Sequence, residues 1–340
     1  MEWNISLSHP LILAMEPRRY VFRIPDTGLF FCANCYSPDI PFDDGLTYIF
    51  MHNAASHKEV WEPIIQHLFQ LSSDPKLPST CRVREAWSLE WQNHGESALL
   101  NTESLSERDC FGVHEIGDVV CCFLRLDLML GHNIVAVGHS ASVSAWILGG
   151  NRMEHLSLKA AILIEPGMDT LRGLPSEKDT RKWLHRLNSV VNRRDMWEDQ
   201  ASLERWLRRQ FPWKTWDQRV FDLYVKHAYM DVERDGRSVI VPKCANRQEV
   251  GCYAIQDHSE ALAHFTPFCA QVPVHLIFSE RSEVVFWDNR KLICDTSQGR
   301  VLQPVRILPG VGHWVVQEKP ELVAETIFDI VKPPAHTAKL

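Results

Sequence analysis

Short, almost wholly apolar runs alternate along this chain with longer stretches whose apolar positions recur every three or four residues. The runs at 20–24, 28–33, 47–51, 85–91, 133–137, 159–164, 274–278 and 305–308 predict eight strands. Their alternation with helical patterns predicts an α/β fold, with a mostly parallel eight-stranded sheet carrying helices on both faces. Between 115 and 130, Ile116, Val119, Val120, Phe123, Leu124, Leu126 and Leu130 mark a buried helix that leads into the strand at 133–137. A last helix starts at Pro320 and carries Leu322, Val323, Ile327 and Ile330 on one face. From Pro166 to Pro267 the pattern changes to polar helices containing Trp183, Trp197, Trp206, Trp213 and Trp216. That shift predicts a helical cap, 167–267, inserted between two parts of one core, 1–166 and 268–332, with 333–340 as an extended tail.

Composition narrows the class. With 340 residues, 45% of them hydrophobic, the chain can bury a large core. Its net charge of −7 argues against nucleic acid as a partner. The ten cysteines are scattered, and Cys121-Cys122 sits in an apolar helical stretch, so they read as reduced, small hydrophobes. Cys32-x-x-Cys35 has metal-like spacing, but it extends a strand-like run and no second such pair exists, so no metal is expected. No basic region precedes the short apolar run at 10–14, and no stretch of about 18 apolar residues occurs, so neither a secretory signal nor a membrane span is expected.

The candidate chemistry begins at Gly138-His139-Ser140-Ala141-Ser142, which follows the strand at 133–137 and opens a stretch of small residues through Val143, Ala145, Gly149 and Gly150. A serine on so tight a strand-to-helix turn stands above the sheet, and the next N–H, that of Ala141, lies at the positive end of a helix, placed to hold an oxyanion. A hydroxyl is a weak nucleophile until a base takes its proton. His313 is the candidate base, because it lies on the flexible loop Pro309-Gly310-Val311-Gly312-His313-Trp314 after the final strand. Glu165 is expected to orient its ring, with Glu283 as the alternative. Glu165 ends the strand at 159–164, beside the serine strand, and Pro166 then forces the chain away. Glu283 lies in Ser279-Glu280-Arg281-Ser282-Glu283 after the next strand, one residue beyond the slot where Gly-x-x-Asp turns carry their aspartate.

These features together resemble the α/β-hydrolase superfamily, from about Tyr20 to Val331. The resemblance implies a second oxyanion donor, the Ala54 N–H in His52-Asn53-Ala54-Ala55-Ser56-His57, with Asn53 where a glycine is usual. It also implies a structural turn at Trp91-Gln92-Asn93-His94-Gly95-Glu96-Ser97, with Glu90-Trp91 in place of the common aspartate. His52-Asn53-x-x-x-His57-Lys58-Glu59-x-Trp61-Glu62-Pro63, Asn93-His94-Gly95-Glu96-Ser97, Glu165 and Trp216-Asp217-x-Arg219-Val220 are more narrowly similar to a fungal group. Its members are peroxisomal acyl-CoA hydrolases and host-selective-toxin biosynthesis hydrolases, with relatives among peroxisomal lipases. Glu165 replaces an aspartate of that group's acyl-CoA hydrolases, and Ser142 replaces a common glycine. Serine at 140, where epoxide hydrolases and dehalogenases of this fold carry aspartate, disfavours an alkyl-ester route.

The chain ends Ala338-Lys339-Leu340, after Pro333-Pro334, in the small-basic-Leu form that addresses proteins to peroxisomes through an import receptor. Between Arg172 and Arg219, twelve Lys or Arg face seven Asp or Glu, an excess that offers Arg193, Arg194, Arg208 and Arg209 as contacts for the phosphates of coenzyme A. The resulting expectation is a peroxisomal serine hydrolase, without a cofactor, that cleaves an acyl-CoA thioester in secondary-metabolite or toxin biosynthesis. A carboxylic-ester hydrolase or lipase using the same residues, and a non-catalytic partner in a biosynthetic complex, are the alternatives. A homodimer is compatible with either.

Overall fold

The computed structural model describes residues 16–108, 110–168, 177–253, 255–285 and 287–332. Strands β1 (Arg18–Arg23), β2 (Phe30–Tyr36), β3 (Leu46–Met51), β4 (Val83–Leu89), β5 (Asn133–His139), β6 (Ala160–Ile164), β9 (Val274–Ser279) and β10 (Arg306–Leu308) form one sheet in the order β1-β2-β4-β3-β5-β6-β9-β10. Pairing is antiparallel at β1–β2 and β2–β4 and parallel from β4 onward. Each of the eight expected strands is present, with shifted ends. The run at 28–33 begins too early because Gly28, at φ +72°, closes the turn out of β1 with its N–H on the Ile24 carbonyl. The run at 85–91 ends too late because Glu90 turns inward, where its carboxylate accepts the Ser97 N–H at 3.0 Å.

The central strands are apolar throughout because both of their faces are covered. Ile134 and Ala136 of β5, with Ala161 and Leu163 of β6, face a cluster that includes Val119, Val120 and Phe123 of helix Val113–Leu124 and Trp146 of helix Ala141–Asn151. Val135, Val137, Ile162 and Ile164 face the opposite cluster, formed with helices Glu62–Ser72 and Pro320–Val331. A one-residue register slip would exchange these sets, so the alternation pins each strand.

Residues 177–253 contain helices Glu177–Val191, Gln200–Leu207 and Gln218–Ala228 and, contrary to the all-helical expectation, a hairpin of β7 (Tyr229–Arg234) and β8 (Arg237–Pro242). Its turn is Asp235-Gly236, both left-handed at φ 50° and 72°, which is the conformation that two-residue hairpin loops require. The expected insertion boundary at 267 falls inside helix Ile255–Gln271, whose Ala261, Phe265 and Phe268 pack in the sheet's own core. Trp197, Trp213 and Trp216 are buried and join the sheet's second cluster, while the Trp183 side chain, the run at 10–14 and Ala338-Lys339-Leu340 lie outside the described residues. Among the described residues, no helix is long and apolar enough to cross a membrane.

Candidate active site

Ser140 stands between β5 and helix Ala141–Asn151 at φ 58°, ψ −123°, a conformation that costs a non-glycine residue energy and must be held by its surroundings. Small neighbours allow the turn. A Cβ at Gly138 would lie 2.8 Å from Trp146, and one at Gly167 would lie 3.3 Å from the Ser140 backbone. Ser142 is more than a tolerated glycine replacement, because its hydroxyl accepts the His139 N–H at 2.8 Å and donates to the Met51 carbonyl at 2.9 Å. The end of β3 is thereby tied to the turn that presents Ser140.

The His313 ring lies between Ser140 and Glu165. Its Nε2 is 3.0 Å from Ser140 Oγ, and its Nδ1 is 3.0 Å from Glu165 Oε2. With Nδ1–H donating to the carboxylate, Nε2 is left to accept from the serine hydroxyl. Glu165 is fully buried in a left-handed conformation, φ 47°, at the end of β6. Its other oxygen accepts from the Ser279 N–H at 2.7 Å and from Arg290 at 3.3 Å. Burial alone would raise this carboxyl's pKa, but the hydrogen bond and charge of His313, with the Ser282 and Ser279 donors, outweigh it and hold the pKa at about 2. Glu283 takes a different place, accepting the His313 backbone N–H at 3.0 Å. One histidine is thus held by two carboxylates, one at the ring and one at the main chain.

Two further supports carried no signal in the sequence. His139 is fully buried, its Nε2 is 2.9 Å from the His313 carbonyl, and burial lowers its pKa to about 3, so it is neutral and can donate there. Gln317 donates to Asn53 Oδ1 at 2.6 Å, and Asn53 donates to the Ala54 carbonyl at 2.9 Å, which fixes the loop after β3. Ala55 of that loop, at φ 59°, donates its N–H to His94 Nε2 at 3.2 Å. Among the described residues, the N–H groups of Ala54 and Ala141 meet no acceptor, and both residues line the cavity over Ser140.

That cavity has a volume of about 590 Å³ and is walled by Trp206, Phe211, Trp213, Trp216 and Trp314 together with Ser140 and His313. Of the four arginines expected to meet coenzyme A phosphates, Arg193 and Arg194 line it, and Arg208 and Arg209 do not. Arg208 hydrogen-bonds Gln218 and lies over the Phe221 ring. Arg193 is already matched by Glu249, so it is no free phosphate anchor.

Beyond the loop after β3, Lys58 is buried among three carboxylates, 2.9 Å from Glu59, 3.4 Å from Glu90 and 2.7 Å from Glu96. Glu59 also meets His57 at 3.1 Å and His227, from helix Gln218–Ala228, at 3.6 Å. Glu90 occupies the aspartate slot of the expected turn, and a Cβ at Gly95 would strike its carboxylate. Cys32, Glu90 and Glu96 come close enough to share a cation, and the Lys58 ammonium supplies one beside both carboxylates. Cys32 and Cys35 lie buried in β2, where burial pushes their thiols up to about 11 and about 12.

Residues 49–326 match the alpha/beta hydrolase family, and the chain belongs to it. No curated protein matches the sequence significantly. Among solved structures, the peroxisomal alpha-beta-hydrolase Lpx1 of Saccharomyces cerevisiae is similar at a TM-score of 0.69 and 17% identity, over 96% of this chain and 91% of that one. The thioesterase domain from the curacin biosynthetic pathway gives 0.65 and 13%, over 93% and 99%. A Mycobacterium tuberculosis esterase gives 0.64 and 15%, over 93% and 92%. At such identities these likenesses show the fold, and the family membership makes the chain a hydrolase.

Proposed function

We propose that the protein is a serine hydrolase that cleaves an acyl thioester of coenzyme A through an acyl-enzyme. The observation that carries the reading is the unbroken relay from Ser140 Oγ through His313 to Glu165, with both hydrogen bonds at 3.0 Å, beside a cavity that Ser140 and His313 line. His313 takes the Ser140 proton as the hydroxyl oxygen attacks the acyl carbonyl. Glu165 holds the ring and stabilises the imidazolium. The N–H groups of Ala54 and Ala141 receive the oxyanion, each contributing ~3 kcal/mol by analogy with comparable sites. Collapse expels the thiol, protonated by His313, and the same histidine then activates water to release the acid and restore Ser140. Residues 177–253 serve as the cap that walls the acyl group.

One observation favours a neutral carboxylic ester as the second reading: Glu249 cancels the charge of Arg193, a cavity-lining cation suited to a phosphate. Parallel turnover of acyl-CoA and p-nitrophenyl esters of the same acids decides between them. A fluorophosphonate probe should label Ser140 in either case, and an unlabelled Ser140 would instead favour the non-catalytic reading. We assign the protein to the peroxisome on the terminal Ala338-Lys339-Leu340. A fluorescent fusion retaining this terminus should be peroxisomal and become cytosolic on its deletion; unchanged import would refute the address.

A further inference from the structure

Several polar groups lining the cavity are already engaged. Ser140, His313 and Glu283 belong to the relay and its support, Asn53 is held by Gln317, and His258 bonds Ser144 at 2.8 Å and the Cys252 carbonyl at 2.9 Å. Arg193 and Glu249 also line the cavity, yet no step of the hydrolysis uses them. Their side chains are 16% and 2% exposed, and the guanidinium faces the Trp213 ring with its carbon 5.9 Å from the centroid.

The pair is built with care for direction. Arg193 Nη2 bonds Glu249 Oε2 and, at 3.0 Å, Asn246 Oδ1, while Nη1 reaches Glu249 Oε1 at 3.3 Å. Asn246 donates back to the Arg193 carbonyl at 2.7 Å, and Tyr253 donates to Glu249 at 3.3 Å. A guanidinium has five N–H groups. These contacts use three, and among the described residues the Nε–H and the second Nη1–H have no partner.

Apolar residues of similar volume would be as stable in such a wall, so stability alone gives no reason for an ion pair there. The pair is neutral overall. A carboxylate or phosphate approaching it would gain from Arg193 and lose to Glu249, whereas a neutral oxygen would gain a charge-assisted hydrogen bond without that repulsion. We propose that Arg193 is a specificity-determining residue that donates to a neutral oxygen, such as a ketone, hydroxyl or amide carbonyl, borne by the acyl group of the substrate. Glu249 and Asn246 are the positioning residues that aim it. The substrate is then an oxygenated acyl derivative in place of a plain alkanoyl one, because a substrate lacking the acceptor leaves the donor dry. This inference rests on the serine hydrolase reading and adds a substrate class to it.

The test measures kcat/KM of the intact enzyme on p-nitrophenyl heptanoate, on heptanoates carrying one ketone at successive chain positions, and on a carboxylate-ended analogue of equal length. The best ketone should exceed the plain ester by about tenfold or more, and the carboxylate should not exceed that ketone. In the double variant Arg193→Met with Glu249→Met, which removes the pair without leaving a lone buried charge, the ketone preference should fall to within about twofold. Equal turnover of ketone and plain ester by the unaltered enzyme overturns the assignment, and needs no variant to fold. So does a preference that survives in the double variant, or a carboxylate that outruns every ketone, which would make Arg193 an anion anchor. Failure of the serine hydrolase reading looks different: Ser140 resists fluorophosphonate and no ester is turned over.

Discussion

On the sheet side of the cavity, Ser140, Glu165 and His313 each leave the end of a strand, β5, β6 and β10, whereas the opposite wall projects from helices and turns in residues 177–253. The strand ends are fixed from several directions at once. Ser140 and Glu165 hold left-handed conformations, and hydrogen bonds donated by Ser142, Ser279 and His139 and accepted by Glu283 converge on the same few ångströms. The covering wall is held by ring contacts, such as Trp197 with Trp206 at 5.4 Å and Trp206 with Trp213 at 5.9 Å, and by ion pairs such as that of Arg193 with Glu249. On the proposed function, the chemistry, which tolerates little displacement, falls to the side held by hydrogen bonds, and substrate selection to the aromatic side. Substitutions on the sheet side should therefore lower kcat, and substitutions on the cover should act on KM and on preference.

The largest effect expected is at the ring of His313. Glu165→Gln should lower turnover by ~10⁴, the scale seen when a triad acid loses its charge, and Glu165→Asp should retain part of the activity. Glu283→Gln keeps an oxygen for the His313 N–H and should cost about tenfold or less. Steady-state rates that rank Glu283 above Glu165 would transfer the role to the other carboxylate.

Next in size is the seam where cover and sheet meet. Lys58→Met leaves Glu59, Glu90 and Glu96 without their shared cation and should destabilise the fold by about 3–5 kcal/mol. Arg219→Met removes half-exposed pairs with Asp217 and Glu321 and should cost about 1 kcal/mol or less. Urea unfolding distinguishes them, and equal midpoints would show that the buried cluster contributes no more than a surface pair.

The two sides also differed in how far the sequence disclosed them. Strands were legible because a strand buried on both faces has to be apolar at every position, and the serine turn was legible because only small residues fit around it. Glu165 stood out because Pro166 follows an apolar run. Glu165 thus reads as the acid ahead of Glu283; that Glu283 instead accepts the His313 main-chain N–H was not readable, since it depends on how the turn after β9 and the final loop come together. His139 and Gln317 were invisible for the same reason. In the cover, the Asp235-Gly236 hairpin did have a local signal, two left-handed turn formers between alternating residues, but a polar and tryptophan-rich setting read as helix throughout. The charge excess there did not disclose how each arginine is engaged, because counting arginines cannot show that Glu249 already holds Arg193.

Acid should weaken the sheet side in a defined window. The Glu165 carboxyl is held at about 2 in the fold against an ordinary 4.5, so the folded protein binds fewer protons than the unfolded chain between those values. The stabilisation is present above pH 4.5 and is lost as pH falls through about 2, amounting to about 3 kcal/mol for this group. Unfolding free energies of the unaltered protein and Glu165→Gln, measured across that range, should therefore converge towards low pH. Parallel curves would mean that the carboxylate is not held ionised by its partners.

The smallest effect should come from the outermost charges of the cover, and it refines what that side recognises. Arg194 lines the cavity and is exposed, with its guanidinium 5.5 Å from the Trp197 ring centroid and its Nε–H on the Met196 carbonyl at 2.8 Å. Arg208 is engaged by Gln218 and Phe221, and neither it nor Arg209 reaches the cavity. If coenzyme A lies along this rim, Arg194→Gln should raise KM for an acyl-CoA by about threefold and flatten its dependence on salt, because one screened charge contact is worth about 1 kcal/mol or less. Arg208→Gln with Arg209→Gln should leave that KM unchanged. A matching rise for a neutral p-nitrophenyl ester would trace the Arg194 effect to packing on Trp197 and not to charge. A rise confined to the Arg208 and Arg209 variant would move the nucleotide end to the far side of helix Gln200–Leu207, and the division between a catalytic floor and a selecting cover would then need a second, more distant contact.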